Sequence, residues 1–532
     1  MSSSQTPKEG GAGALDEERH FRTDRLKDGL GRHAARSGAV TAVSQGVKFF
    51  TGMAATVVLA RLLTPQDYGL IGMVAVIIGF VSMFKDMGLS AATIQKEEIT
   101  HDQVSTLFWI NVALSVAVML LTAALSPVVA WFYGEPRLLW ITVGYAAGFL
   151  AGGLTIQHEA LLRRQMRFGA IAAIEITSLA VGLSVAVLMA WRGAGYWALI
   201  CNQLVQGVTY AAGVWIVCGW RPRKPVRYSG VRQLLAFGGN LTGFHVVNYF
   251  ARNLDNLLIG KFWGSRQLGL YARAYQLLLL PIDQINTPVG AVAVPALSRL
   301  NDSPERYRLA YLRILEKVAI LTMPGVAFMI STSDWIVRLM LGSQWDEAAR
   351  IFALLGFVGL VQPVANTIGW LFITQGRTRH MLKWGIAGSG LIILSICVGL
   401  PWGAVGVAAS YSAIFLFVVT PLLFWYVGRS GPVRAADIYR TIAPAACTAL
   451  GVIGALFALR RWTAITQPLA GLAVAFGVAA VVTLLILSAL PRGRAALVDF
   501  KQLLGLLRKE KEVEVGAVSL ADSGRTSSQA AT

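Results

Sequence analysis

The stretch NYFARNLDNLLIG, residues 248–260, places charged and amide side chains within an apolar run. Asn248, Arg252, Asp255 and Asn256 follow one another at helical spacing, so a helix would carry them on one face. Ionisable residues inside apolar helices usually face a water-filled cavity or a partner rather than lipid. The pattern therefore predicts the polar wall of a water-filled cavity.

A structural role is also open for two of these residues. Arg252 and Asp255 are three positions apart and could neutralise each other, which would hold their helix against a neighbour. Arg252 could instead extend from the helix toward the membrane interface. Either alternative would remove Arg252 from a binding site.

Three more ionisable residues lie in apolar runs. Lys48, in SQGVKFFTG, has no acidic residue within four positions, so it either faces the cavity, extends to the interface, or pairs with a distant carboxylate such as Glu175. Glu175 and Asp283 are candidates for binding a coupling ion or proton, and Glu175 could otherwise pair internally. Asp283 follows Pro281, which interrupts the hydrogen-bond ladder of a helix.

Several other chemistries lack a sequence signal. The chain has no GxxxxGK[ST] phosphate loop, and its six histidines show no metal-binding spacing. The four cysteines all fall in predicted helices, so neither a disulfide framework nor a zinc site is expected. We therefore expect no cofactor and no metal.

The composition is that of a polytopic membrane protein. The chain is 55% hydrophobic and 14% charged, whereas soluble domains carry about 25% charged residues. Apolar runs of about 20 residues, the length needed to cross a bilayer, recur along the chain. Fourteen transmembrane helices are predicted, near 38–60, 68–88, 103–131, 138–159, 169–190, 196–217, 233–259, 268–293, 310–331, 350–373, 380–400, 404–427, 438–458 and 468–490.

The distribution of Lys and Arg predicts the orientation. The termini and the connections on their side hold 35 of these residues, against 10 on the other side. By the positive-inside rule both termini are cytoplasmic, and the net charge of +19 needs no nucleic-acid partner. The predicted segments are a polar tail (1–37), a six-helix bundle (38–218), a basic connection (219–232), a second six-helix bundle (233–428), two further helices (438–490) and a cytoplasmic tail with an amphipathic stretch (491–532).

The two bundles are related by an internal repeat. VVLARLLTPQDYGLIGM (57–73) aligns without a gap over LLIGKFWGSRQLGLYAR (257–273), so that Arg61 matches Lys261 and Gly69 matches Gly269. Both stretches lie at the end of the first helix of their bundle. Arg61 and Lys261 either extend to the outer interface or contact the substrate. Two repeat-related bundles with the substrate between them are a common transporter plan.

Particular stretches also carry a family resemblance: LARLLTPQDYGLIGMV (59–74), DMGLSAATIQKEEIT (86–100), EALLRRQMRF (159–168), RNLDNLLIGKFWGSRQLGLYARAYQLLLLP (252–281) and PVGAVAVPALSRL (288–300). They resemble the multidrug/oligosaccharidyl-lipid/polysaccharide flippase superfamily, and within it the bacterial polysaccharide exporters and lipid-linked oligosaccharide flippases of the colanic-acid or succinoglycan type. The resemblance covers most of residues 38–430.

The resemblance implies a function in the bacterial inner membrane. An undecaprenyl-pyrophosphate-linked sugar unit would be moved from the cytoplasmic to the periplasmic leaflet, where a polymerase extends it. Glycosyltransferases and that polymerase would be the protein partners. The alternatives are a drug or small-cation exporter of the same superfamily, a flippase of the peptidoglycan precursor, and a membrane enzyme such as a polymerase or ligase. The short predicted connections leave little room for the active site of such an enzyme.

Overall fold

The computed structural model describes residues 30–83, 90, 93–94, 96, 99–226, 232–463, 465, 467–491 and 493–494. Side chains are described from Val43 onward, except those of 232–248 and 250–252. These residues form helices and their connections and no strand, so the predicted all-α fold is confirmed. Asn248 and Arg252 are described only as helical backbone, and the predicted amphipathic stretch near the carboxyl end lies outside the described residues.

The helices follow the predicted runs closely. They are α1 (Leu30–Leu62), α2 (Pro65–Ser82), α3 (His101–Tyr133), α4 (Arg137–Arg164), α5 (Phe168–Trp191), α6 (Trp197–Cys218), α7 (232–263), α8 (265–298), α9 (Pro304–Ser331), α10 (Ser333–Met340), α11 (Asp346–Thr374), α12 (Thr378–Gly399), α13 (403–428), α14 (Ala435–Trp462) and α15 (Pro468–Ala489). Helices α7 and α8 share the helical range Arg232–Ser298, which Gly264 breaks with φ 78° and ψ −178°. A residue with a side chain rarely adopts this conformation, so glycine provides the break.

Local sequence signals set two of the helix starts. Thr64 caps α2, because its hydroxyl accepts from the Asp67 amide while the Asp67 carboxylate accepts from the Thr64 amide. Thr100 and Gln103 form the same capping box at α3. Each box satisfies two helix-end amides that would otherwise lack partners. The positions of both helices relative to their connections are thus encoded locally.

The structure extends the first helix beyond its prediction. Helix α1 begins at Leu30 rather than near 38. The added turns, LGRHAARS, are polar but rich in alanine and arginine, which favour helix while giving no hydropathy signal.

The predicted number of membrane crossings is not settled by the helices. Among the described residues, eleven helical stretches are long and apolar enough to cross a membrane. Two of them, 253–298 and 378–428, each include parts of two predicted helices, and α6 is not among the eleven. The count of fourteen crossings stays a prediction.

Contacts divide the chain into two units. Unit 1 contains the described residues up to Ala274 together with Met340–Ile351 and Ile392–Ser410. Inside it, α3 packs on α4, α5 packs on α6, and α1 packs on α5. Unit 1 therefore combines the first predicted bundle with the predicted first helix of the second bundle and with short segments from later in the chain. The predicted division into 38–218 and 233–428 stays a prediction.

Unit 2 contains Tyr275–Leu339, Phe352–Leu391 and the described residues from Tyr411 onward. Helix α9 packs on α14, which packs on α15. The buried hydroxyls of Tyr307 and Tyr311 in α9 bond to Thr374 and Thr367 of α11. These bonds satisfy polar groups inside an otherwise apolar core, where an unpaired hydroxyl would be costly.

Candidate substrate-binding and coupling residues

Lys48 and Glu175 form an ion pair between α1 and α5 in unit 1. Their side chains are only 23% and 28% exposed. Of the alternatives that the sequence left open for Lys48, the structure therefore shows pairing with the distant carboxylate. The pair places one cation and one anion in the interior of the first bundle, where both charges need a partner.

Asp255 joins α7 to α8 across the break at Gly264. Its buried carboxylate accepts a hydrogen bond of 2.9 Å from the hydroxyl of Tyr271, and its other oxygen accepts from the Asn256 amide at 2.7 Å. The side-chain oxygen of Asn256 is buried and has no hydrogen-bond partner among the described residues. The predicted pairing of Asp255 with Arg252 falls on a side chain outside the described set, and so it stays a prediction.

Arg273 in α8 is a further cation of unit 1, and its side chain is half-buried. Its guanidinium lies 3.8 Å from the ring centre of Tyr68 in α2, and Tyr145 in α4 is close enough to interact electrostatically. A cation over an aromatic face is stabilised by the ring quadrupole. Three helices therefore hold this arginine two residues from Tyr271, the partner of Asp255.

Sequence reasoning missed Arg273. It lies inside the helix predicted at 268–293, where it was not singled out as a site residue. Position 273 does stand out in the repeat alignment, since an arginine there lies opposite Met73. The tyrosines that hold it come from separate helices, so no local spacing could have revealed the cluster.

The repeat-related cations Arg61 and Lys261 both lie at helix ends. Lys261 donates to the carbonyl oxygen of Phe132, and its ammonium lies 5.0 Å from the ring centre of the same residue. Arg61 is exposed in the last turn of α1, with its Cγ near Gly342. The structure does not bring these two side chains into the Asp255 and Arg273 cluster by any described contact.

The second coupling candidate, Asp283, belongs to a different unit from the first. It is exposed on α8 within unit 2, next to Pro281, whereas Glu175 lies in unit 1. A coupling role for either residue stays a prediction.

The starts of α2 and α8 approach each other so closely that only glycine fits. A Cβ on Gly69 would lie 1.6 Å from the carbonyl oxygen of Ser265, and a Cβ on Gly269 would lie 1.8 Å from that of Pro65. Pro65 matches Ser265 in the repeat alignment as Gly69 matches Gly269, so the two contacts are reciprocal. Reciprocal contacts are the mark of a two-fold axis, here an approximate one within the chain.

A second contact fastens the end of α1. The Trp345 indole donates to the carbonyl oxygen of Ala60 at 2.8 Å, and the Gln344 amide donates to Ala60 and Leu63 at 2.6 and 2.9 Å. These donors satisfy helix-end carbonyls that have no partner within the helix. In the predicted topology, both this contact and the glycine contact lie at the periplasmic ends of their helices.

Comparisons with known proteins agree with this architecture. The model of a family described as polysaccharide biosynthesis protein matches residues 58–350, over half of the chain. Lipopolysaccharide biosynthesis protein WzxC of Escherichia coli (strain K12) is 26% identical over 404 residues, which cover 74% of this chain and 81% of WzxC. Teichuronic acid biosynthesis protein TuaB of Bacillus subtilis (strain 168) is 29% identical, with 66% and 72% covered. Succinoglycan biosynthesis transport protein ExoT of Rhizobium meliloti (strain 1021) is 23% identical, with 74% and 77% covered.

Solved structures show the fold. The lipid II flippase MurJ in an inward closed conformation matches with a TM-score of 0.67 at 13% identity, covering 84% of this chain and 98% of MurJ. An inward-facing multidrug resistance transporter of the MATE family matches with a TM-score of 0.55 at 12% identity, covering 74% and 96%. Both are transporters rather than enzymes of polysaccharide assembly. Since the family match spans over half of the chain, the chain belongs to the polysaccharide biosynthesis protein family, and it shares the fold of these transporters.

Proposed function

We propose that this protein moves an undecaprenyl-pyrophosphate-linked oligosaccharide unit from the cytoplasmic to the periplasmic leaflet of the bacterial inner membrane. The product would serve exopolysaccharide, capsule or O-antigen synthesis. One observation carries the proposal: a polysaccharide biosynthesis family is combined with the fold of a lipid II flippase. The name of ExoT, a succinoglycan biosynthesis transport protein, also supports the transport of a polysaccharide precursor.

The chemistry of unit 1 fits an anionic head group. Taking a pyrophosphate through hydrocarbon strips its charges of water, which is very costly unless cations and hydrogen-bond donors replace that water. Arg273 supplies such a cation at membrane depth, held in place by Tyr68. We propose that Arg273, with the polar face of α7 that includes Asp255 and Asn256, forms part of the wall that meets the head group.

The close contacts of unit 1 support an alternating-access cycle. The reciprocal glycine contact and the Gln344 and Trp345 bonds close the ends of α1, α2 and α8 against each other. In the predicted topology this is the periplasmic side. Release of a flipped lipid into that leaflet requires these contacts to open, so we propose that they form the outer gate.

Energy coupling and partners extend the proposal. Transport would be driven by proton or sodium exchange at Glu175 or Asp283, or by consumption of the product by a periplasmic polymerase. Glycosyltransferases on the cytoplasmic side would supply the substrate. Both termini are proposed to be cytoplasmic.

Two other transport functions have specific support. The likeness to a MATE transporter favours a small-molecule exporter, and the likeness to MurJ favours transport of the peptidoglycan precursor. Both likenesses concern the fold alone. The family match, which the sequence itself carries, favours the polysaccharide precursor.

A reconstituted assay separates these functions. Purified protein in liposomes is given a fluorescent polyprenyl-pyrophosphate oligosaccharide, and a membrane-impermeant reagent reports the leaflet. We expect movement between leaflets with no new glycosidic bond, and less movement of lipid II and of cationic dyes in matched vesicles. Sugar transfer without movement would identify an enzyme, and preferential transport of lipid II or dye would replace the proposed substrate.

A further inference from the structure

Unit 2 contains a polar cavity that the proposed transport route does not use. The connections α8–α9, α11–α12 and α13–α14 surround a volume of about 520 Å³. Asn301, Tyr307, Gln375, Arg377 and Ser430 line it. In the predicted topology all three connections are cytoplasmic, so the cavity opens at the level of the inner leaflet head groups.

The backbone fixes Arg377 at this cavity. Gly376 ends α11 with φ 66°, and its amide donates to the Ile373 carbonyl at 3.1 Å while the Arg377 amide donates to Phe372 at 2.8 Å. This pair of bonds is the Schellman motif, in which glycine adopts the left-handed conformation at the helix end. The motif therefore fixes the backbone position from which the Arg377 side chain extends.

Arg377 has only neutral hydrogen-bond partners in the part of the chain that the structure describes. Its guanidinium donates to the side-chain oxygen of Gln375 at 3.2 Å and to the hydroxyl of Ser430, which are both neutral. A Cβ on Gly431 would lie 2.8 Å from one guanidinium nitrogen, so a larger residue there would displace the group. Among the described residues, Arg377 forms no ion pair, in contrast to Arg308, which pairs with Asp437.

The surroundings are also basic. Residues 374–380 and 428–436 contain four arginines and no carboxylate. Asp302 in the α8–α9 connection and Glu305 in the first turn of α9 are exposed and do not line the cavity. A cavity of this composition attracts an anion and disfavours a cation.

We propose that this cavity binds the phosphate of an anionic phospholipid head group. A guanidinium fork matches phosphate oxygens in two parallel hydrogen bonds, and the Asn301 amide and Ser430 hydroxyl can donate further bonds. Basic pockets between helices on the cytoplasmic side bind anionic head groups in membrane proteins. The first turn of α12 supports a lipid rather than free phosphate, since Met381 and Leu382 there are exposed apolar surface for an acyl chain.

The occupant would tie three helix connections of unit 2 together, whatever substrate the protein transports. Binding is therefore measured without transport. Native mass spectrometry and thermal unfolding of the purified full chain are carried out with phosphatidylglycerol, with phosphatidylcholine and with inorganic phosphate. Arg377→Gln is compared with Arg379→Gln, which removes the same charge from an exposed neighbour outside the cavity lining.

We expect phosphatidylglycerol to bind and to raise the melting temperature, with Arg377→Gln weakening its affinity about tenfold to a hundredfold and Arg379→Gln changing it little. Equal losses in both variants would overturn the proposal in favour of a diffuse basic surface. Arg377-dependent binding of inorganic phosphate without phosphatidylglycerol binding would overturn the lipid as the occupant. If Arg377→Gln does not accumulate, the affinity for phosphatidylglycerol is compared between Arg377→Lys and Arg379→Lys instead. Lysine keeps the positive charge but cannot form the two parallel hydrogen bonds of a guanidinium group.

Discussion

Substitution of Gly69 by alanine tests the outer gate directly. The added Cβ would lie 1.6 Å from the Ser265 carbonyl oxygen, whereas ordinary contacts begin at 3.4 Å, so the shortfall is about 1.8 Å. The obstacle is backbone on the opposite helix rather than the end of a flexible side chain. The start of α2 and the start of α8 must therefore separate, and the closed conformation loses stability.

The size of the effect follows from overpacking. Forcing extra atoms into a packed contact costs roughly 1–3 kcal/mol, which shifts a closed-to-open equilibrium by roughly fivefold to over a hundredfold. Gly269→Ala meets the Pro65 carbonyl at 1.8 Å and should act alike. Once one Cβ has separated the helices, the second meets no obstacle, so the double variant should cost less than both single variants added.

The assay uses a cysteine at Ser265, a position that is only 7% exposed, in a chain lacking the four native cysteines. An impermeant thiol reagent should label it slowly in the parent and faster by the stated factor in Gly69→Ala. Gly52→Ala is the matched control, since its Cβ would meet nothing within 4 Å and the same change favours helix by about 1 kcal/mol. Equal protection in Gly69→Ala and Gly52→Ala would refute the contact as a gate.

Four further predictions concern the charged groups and the topology. Lys48→Ala or Glu175→Ala should lower the amount of folded protein, because a mostly buried charge left alone typically costs about 3–5 kcal/mol, and exchanging the two residues should restore it in membrane immunoblots; failure of the exchange to recover protein would argue against the pair. Arg252→Ala should leave protein abundance normal and reduce surface polysaccharide if Arg252 meets substrate, and recovery of both readouts by adding Asp255→Ala would instead make it structural. Arg273→Lys should retain more lipid movement in liposomes than Arg273→Gln at equal protein levels, and equal activity of the two would remove charge as its contribution. Cysteines at Ser229 and Asp302 should resist an impermeant thiol label in intact cells while one at Glu135 reacts, and the opposite pattern would invert the proposed orientation.

The sequence predicted features that local signals determine. The apolar runs that form helices are visible in neighbouring residues of the chain, and the glycine of the repeat is visible in an alignment without gaps. Features formed between distant segments could be named only as alternatives, as with the pairing of Lys48 with a carboxylate 127 residues away.

Contacts between residues that are far apart in the chain left no signal in the sequence. Nothing in the sequence around Arg273 indicates its aromatic neighbours, because the tyrosines near it lie on α2 and α4. The cavity at Arg377 is assembled from three connections, none of which contains a recognisable binding motif. The polar face of α7 was visible in the sequence because its residues share one helix. The residues of other helices that contact this face could not be inferred.

The bonds from Trp345 and Gln344 to the end of α1 set an order of events during synthesis. Trp345 follows its acceptor Ala60 by 285 residues. At roughly 5–20 residues per second, a ribosome needs about 15–60 s to bridge that distance. During this interval the carbonyl groups at the end of α1 must be satisfied by water or insertion factors. A chain interrupted before this tryptophan would lack the indole donor to the Ala60 carbonyl at the end of α1.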